Sequence, residues 1–265
     1  MGRLSGKVGF VTGGGTGIGL GCAQRMVEEG AQVVIAGRRE AVLREAAMRL
    51  GPAASWAVCD VVDEAAVQQA VDTVLARHGR LDLAVNSAGT GGGGNVLQID
   101  GTTFAHTLTT NLVGLYHCLR AEARAMLGRG GSIVNISSIA GELPHGGMSA
   151  YCAAKAGVNM LTRCQADDLG ASGIRVNAVM PGLVRTDIAD AVLQTGAAIE
   201  AYLNCMPIRR VGEPADVAAM VALLLSDDAG WVTGQCIAVD GGNAVRGAPQ
   251  LAPIFGTAIV PPAAP

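Results

Sequence analysis

Tyr151 and Lys155 are the residues whose types and spacing point most directly to chemistry. They stand four apart at the start of an apolar, helix-like segment that runs to about Leu169. Residues four apart on a helix share a face. A phenol ordinarily ionises near pH 10, and a neighbouring ammonium favours the phenolate. Bringing it to neutrality takes roughly 3 units, about 4 kcal/mol, which one cation and a charged cofactor in a dry cleft can supply. The expected result is a proton donor and acceptor that works at neutral pH. Residue usage sharpens this reading. The nineteen basic residues include only two lysines, Lys7 and Lys155, and the chain has three tyrosines.

A second stretch with chemical character is Thr12-Gly13-Gly14-Gly15-Thr16-Gly17-Ile18-Gly19. It follows a β-branched run, Val8 to Thr12, and precedes a helical pattern from Leu20 to Glu29. Strand, glycine turn and helix form the layout of a dinucleotide-phosphate site. Glycines admit the pyrophosphate close to the backbone, and the helix N-terminus offers unpaired N–H groups. The expected contacts are Gly13, Thr16, Gly17, Ile18 and Gly19. A second strand, Gln32 to Ala36, runs into Gly37-Arg38-Arg39-Glu40 with no acid at its end. An acid there takes the ribose 2′-hydroxyl of NAD, whereas an arginine accommodates the 2′-phosphate of NADP. Arg38 and Arg39 therefore favour NADP over NAD, and Glu40 suits the first turn of the next helix.

These groups must be positioned by the elements around them. Strand patterns recur at Ser55 to Cys59, Leu81 to Val85, Ser132 to Ile136, Ile174 to Val179 and Cys236 to Val239. Between them lie helical patterns at Glu40 to Leu50, Glu64 to Arg77, Phe104 to Met126 and Pro214 to Leu225. Asn111 and Gly114 predict a kink within the third of these. Alternating strands and helices imply right-handed β-α-β units. The expected fold is α/β: a single Rossmann-type, doubly wound, seven-stranded and mostly parallel sheet with helices on both faces. Ligands of such sheets sit at the carboxyl ends of the strands. Asp60 and Val61, Asn86, Ala88 and Gly89, and Pro181, Gly182, Val184 and Thr186 fall at or just past those ends and complete the expected cofactor groove. Asp60 is placed to meet the adenine and Asn86 to brace its turn. One domain is expected over 1–248, with a substrate lid near 183–206. The Pro-rich tail, 249–265, is expected to be extended or disordered, with a neighbouring subunit as a surface for it to lie across.

Composition narrows the classes further. Of 265 residues, 50% are hydrophobic and 15% charged, and the net charge is −3. No basic block suggests nucleic acid or an anionic membrane as partner. No apolar run approaches a membrane span, and the N-terminus lacks a signal-peptide core. Seven scattered cysteines without a C-x-x-C pair argue against a disulfide framework or a zinc site and for the cytoplasm. No metal site is expected.

Taken in order, Thr12-Gly13-x-x-x-Gly17-x-Gly19, Asn86-Ser87-Ala88-Gly89, Asn111, Ser138, Tyr151-x-x-x-Lys155 and Pro181-Gly182 resemble the short-chain dehydrogenase/reductase family in its compact single-domain branch. The likeness spans about Lys7 to Gly242. Ser87 departs from the family's usual second Asn, and Thr16 stands where NADP-preferring members often carry a basic residue. The resemblance implies that Tyr151 is the general acid/base and that Ser138 hydrogen-bonds the substrate oxygen. It implies that Lys155 holds the nicotinamide ribose and lowers the Tyr151 pKa, and that Asn111 supports a water linking Lys155 to solvent. It also implies hydride transfer between NADP or NAD and a small alcohol or ketone, in a homotetramer with the Tyr151 and Pro214 helices at interfaces. The competing reading is a nucleotide sensor on the same fold without turnover. For the substrate wall the expected residues are Leu143, His145, Met148, Leu183 and Ile188. Their largely apolar character suggests a hydrophobic substrate such as a steroid, a terpenoid or an acyl thioester.

Overall fold

Seven strands carry the fold in a computed structural model that describes residues 2–246. The expected tail at 249–265 lies outside the described residues. In chain order the elements are β1 (Val8–Thr12), α1 (Gly17–Glu28), β2 (Gln32–Gly37), α2 (Glu40–Leu50), β3 (Ala54–Val58), α3 (Glu64–His78) and β4 (Leu83–Asn86). They continue with α4 (Gly101–Leu108), a π turn (Thr109–Val113), α5 (Gly114–Met126), β5 (Gly131–Ile136), α6 (Ser149–Gly170) and β6 (Ile174–Pro181). After these come α7 (Asp190–Leu193), α8 (Gly196–Cys205), α9 (Pro214–Leu225) and β7 (Cys236–Val239).

The strand order is β3-β2-β1-β4-β5-β6-β7, and every pairing is parallel. The sheet is thus wholly rather than mostly parallel. Such a sheet is covered on both faces, so its strands are apolar throughout and send alternate side chains to opposite layers. Val33 and Ile35 of β2 pack with Met26 of α1, Leu43 of α2 and Val221 of α9. Val34 and Ala36 pack on the other side with Val71 of α3, Leu119 of α5 and Val158 of α6. The chain winds one way from β1 through β2 to β3, then returns to β4 on the other side of β1. The connections leaving β1 and β4 therefore diverge, which opens a crevice at their carboxyl ends.

Among the described residues, no helix is long and apolar enough to cross a membrane. The kink expected near Asn111 takes the form of the π turn, where one residue more than an α turn needs is accommodated.

Candidate active site

The glycine turn after β1 shapes one end of the crevice. Gly13 has φ +65°, and a Cβ there would lie 2.8 Å from the Ala88 backbone nitrogen. A side chain is thus excluded on both conformational and steric grounds. The turn delivers the N-terminus of α1, where Thr16 makes no side-chain cap. The first N–H groups of this twelve-residue helix are left without side-chain partners at the crevice, as an anion site requires. Helix α1 begins at Gly17, three residues before the expected Leu20, so Gly17, Ile18 and Gly19 belong to its first turn.

At the other end, Ser137 and Ser138 leave β5 and α6 brings in Tyr151 and Lys155. Ser137 Oγ donates to Asn159 Oδ1 at 2.6 Å, which ties the strand end to α6. Ser138 Oγ accepts from Ala140 N at 3.1 Å and caps a short turn, Ile139–Gly141, that lies against α6. A Cβ on Gly141 would sit 2.8 Å from the Lys155 carbonyl, so glycine alone allows this approach. The result brings the Ser138 hydroxyl close enough to the Tyr151 phenol to favour its ionised form. Lys155 is buried, donates from Nζ to Ile136 O at 2.8 Å, and lies 5.6 Å from the Tyr151 ring centroid.

Burial pushes the Tyr151 phenol above its ordinary value, and the nearby Ser138 hydroxyl only partly offsets this. Burial also pulls Lys155 from 10.5 down to about 8. The Lys155 ammonium is held near the ring by the Ile136 carbonyl, and desolvation sets the direction of the shift at Tyr151.

Asn111 is buried within the π turn. Its Oδ1 accepts from Thr90 N at 3.1 Å, and its Nδ2 donates to Thr90 O and Thr107 O, each at 3.0 Å. Its amide is thus occupied in fixing the segment that leads into the glycine rim. Gly91, Gly92 and Gly93 border the crevice, and Gly94 N donates to Gly147 O at 2.7 Å.

A cavity of about 490 Å³ joins these parts. Gly13, Thr16, Gly17, Ile18 and Gly89 line it together with Asn111, Ser138, Tyr151 and Lys155. Pro181, Gly182, Val184 and Thr186 close one wall, and His145, Met148, Leu183 and Ile188 the substrate end. A smaller cavity of about 140 Å³ shares Gly13, Thr16 and Gly89 with it and is lined by Arg38, Arg39, Asp60, Val61 and Ala88. Arg38 and Arg39 are exposed there, and their guanidinium groups have no hydrogen-bond or ion-pair partner among the described residues.

Three expected contacts line neither cavity. Gly19 sits behind the turn, where a Cβ would lie 2.3 Å from Gly13 O. Leu143 continues the Ile139–Gly141 turn through its N–H to Ile139 O at 2.8 Å, and this holds its side chain off the wall. Asn86 is buried below the crevice floor. Its Nδ2 donates to Glu122 Oε2 at 2.9 Å and to Asn135 Oδ1 at 3.1 Å. Glu122 is fully buried, and desolvation lifts its carboxyl to about 8. Its Oε1 and the Asn86 Oδ1 are buried without a partner.

Tyr202, Val192 and Thr90 line the larger cavity and were not anticipated. Tyr202 comes from α8, in a segment whose two ends are pinned together. Val184 bridges Gly212, Gly212 N donates to Leu183 O, and Arg185 N donates to Gly212 O, both at 2.9 Å. The scarcity of tyrosine that marked Tyr151 applied equally to Tyr202.

A doubly wound sheet with a glycine turn at a helix N-terminus, opening onto a Ser-Tyr-Lys cluster, defines a dinucleotide-dependent oxidoreductase. Comparison with known proteins agrees. Residues 13–244 match a family model described as enoyl-(acyl carrier protein) reductase. A 2,5-dichloro-2,5-cyclohexadiene-1,4-diol dehydrogenase of Sphingobium indicum is 39% identical over 91% of this chain and 98% of its own. A galactitol 2-dehydrogenase (L-tagatose-forming) of Cereibacter sphaeroides is 37% identical over 92% of this chain and 97% of its own. A solved short-chain type dehydrogenase/reductase from Mycobacterium ulcerans superposes with a TM-score of 0.89 at 40% identity, covering 95% of this chain and 94% of its own. The chain belongs to the short-chain dehydrogenase/reductase family and is an NAD(P)-dependent oxidoreductase.

Proposed function

We propose that the protein interconverts an alcohol and a ketone with Tyr151 as general acid/base, and that it prefers NADP to NAD. The observation that carries the reading is the meeting of the Tyr151 phenol, the Ser138 hydroxyl and the Lys155 ammonium at one cavity. The residues present suit a dinucleotide: the side-chain-free turn at Gly13 and the uncapped start of α1 for the pyrophosphate, and Asp60 for the adenine. Lys155 serves the nicotinamide ribose, with Gly17, Pro181, Val184 and Thr186 along the remainder. When bound, the nicotinamide supplies or accepts the hydride at its C4.

Tyr151 gives its proton to the carbonyl oxygen as that carbon becomes a carbinol, and takes it back in the reverse direction. Ser138 holds the same oxygen and fixes its distance to the phenol. Lys155 adds positive charge beneath the phenol, which favours its ionised form when the proton leaves. Asn111, through Thr90 and the π turn, holds the wall past which protons reach Lys155. Tyr151→Phe should cut turnover by roughly 10²–10⁴-fold while leaving cofactor binding intact. Near-normal turnover in that variant would end the assignment.

The NADP preference rests on the unpartnered guanidinium groups of Arg38 and Arg39 at the smaller cavity. A 2′-phosphate there makes charge-assisted, two-pronged hydrogen bonds. Titration with NADPH and NADH should show tighter NADPH binding, lost in Arg38→Ala. Tighter NADH binding by the wild type would reverse the preference. Residues 183–206 serve as a lid over the substrate end, within one domain. The protein works in the cytoplasm, a reading supported by its seven free thiols, and assembles as a homotetramer.

A further inference from the structure

Two polar side chains at the substrate end of the cavity take no part in the proton transfer. His145 Nδ1 lies 2.9 Å from Leu143 O. A carbonyl only accepts, so Nδ1 donates; the neutral ring then carries its lone pair on Nε2. Tyr202, from α8, faces this ring with centroids 6.3 Å apart. Its hydroxyl both donates and accepts, and it has no hydrogen-bond partner among the described residues. Tyr202 stands near enough to Tyr151 that negative charge on one disfavours ionisation of the other. Both phenols and the imidazole line one cavity.

An acceptor beside a group that donates and accepts is the complement of a neutral hydroxyl. Such a hydroxyl gives its proton to Nε2 and accepts from the Tyr202 phenol. A carbonyl oxygen would use the phenol and leave Nε2 unmatched. A carboxylate or phosphate would find no guanidinium, since the charged side chains in the wall are Lys155 and Asp187, and Lys155 Nζ already donates to Ile136 O. The remaining wall here, Met148, Leu183, Ile188 and Val192, is apolar.

We infer that the substrate is an uncharged, largely apolar diol or hydroxyketone whose second hydroxyl is held by His145 and Tyr202 while Tyr151 works on the first oxygen. The inference rests on the Tyr151 reading above and names the substrate class of that site.

The test compares kcat/KM for cyclohexanol with that for cyclohexane-1,2-, 1,3- and 1,4-diols, using NADP⁺ or NAD⁺, on the wild type, His145→Ala and Tyr202→Phe. At least one diol should exceed cyclohexanol by roughly tenfold or more, and each variant should bring that ratio back toward one. The ratio is measured within one preparation, so lost folded protein does not move it. Equal rates on cyclohexanol and every diol, or a ratio unchanged in both variants, overturn the inference and leave the Tyr151 reading standing. Faster turnover of 3-hydroxybutyrate than of any diol does the same. Turnover of no alcohol at all removes the Tyr151 reading and this inference together.

Discussion

Glu122 enters the folded state as an acid. Its Oε2 accepts from Asn86, while its Oε1 and the Asn86 Oδ1 are both buried acceptors with nothing to accept from. A proton on Glu122 turns one of the two into a donor and removes the mismatch. Cys118 and Cys59, the other titratable groups that feel this carboxyl, are themselves pushed upward and stay neutral. The folded protein therefore keeps the proton up to about 8, whereas the unfolded chain releases it near 4.5. The stabilisation is complete below 4.5 and is lost as pH rises through about 8. It amounts to a few kcal/mol in order of magnitude. The melting temperature of the wild type should fall relative to Glu122→Gln between pH 5 and 8; parallel curves would count against a protonated Glu122. Lys155 acts in the next window with opposite sign, since its lowered pKa makes folding gain as pH rises from about 8 toward 10.5. At this scale the Tyr151–Lys155 pair was legible because four-residue spacing is a local property. Glu122 was not, because an acid in a helical run looks like a solvated surface until the sheet covers it. The burial of the Tyr151 phenol was unreadable for the same reason: desolvation depends on what packs around a phenol, not on its neighbours in sequence.

Elements position the site by approaching one another closely. The turn holding Ser138 reaches Tyr151 only because Gly141 has no side chain to meet the Lys155 carbonyl. Gly141→Ala should force turn and helix apart, cost about 1–3 kcal/mol of stability and lower kcat more than tenfold with nicotinamide binding retained. A melting curve and steady-state kinetics decide it, and a wild-type kcat would show the approach to be incidental. Strand ends were legible from β-branched runs closed by Gly, Asn or Asp, so β1, α2, α9 and β7 match the expected bounds. Helix α1 began earlier than its apolar pattern, because Gly17 and Gly19 of its first turn pack against Thr186 and the glycine turn rather than showing a hydrophobic stripe. The segment carrying α7 and α8 had no clear period, and Tyr202 stayed hidden within it. The orientation of Asn86 was equally unreadable, since it depends on the lateral register of Asn86 with Asn135.

For the molecule as a whole, the order of strands decides where chemistry happens. Reversal of winding beside β1 opens the crevice, and α1, the β5 end and α6 all deliver groups to it. The outer faces of the π turn, α5 and α6 carry a different message. Val113 and Tyr116, about one turn apart, are 42% and 46% exposed, and Met160 on α6 is 57% exposed. Large apolar side chains clustered outside a core mark contact surfaces, in keeping with the proposed tetramer. Light scattering should give about four times the chain mass, and Val113→Glu with Tyr116→Glu should reduce it. A monomeric wild type would refute the assembly.

The pinned neck at Val184 and Gly212 has a consequence for how such a protein changes over time. Everything between those residues leaves the sheet and returns to it at one point, so its length and composition can vary while the strands keep their register. The groups proposed to hold the dinucleotide lie mainly outside that excursion, and Tyr202 lies within it. Recognition of new substrates is thereby separable from redox competence. A duplicated gene could exchange the excursion wholesale and retain a working hydride-transfer centre from the first generation onward.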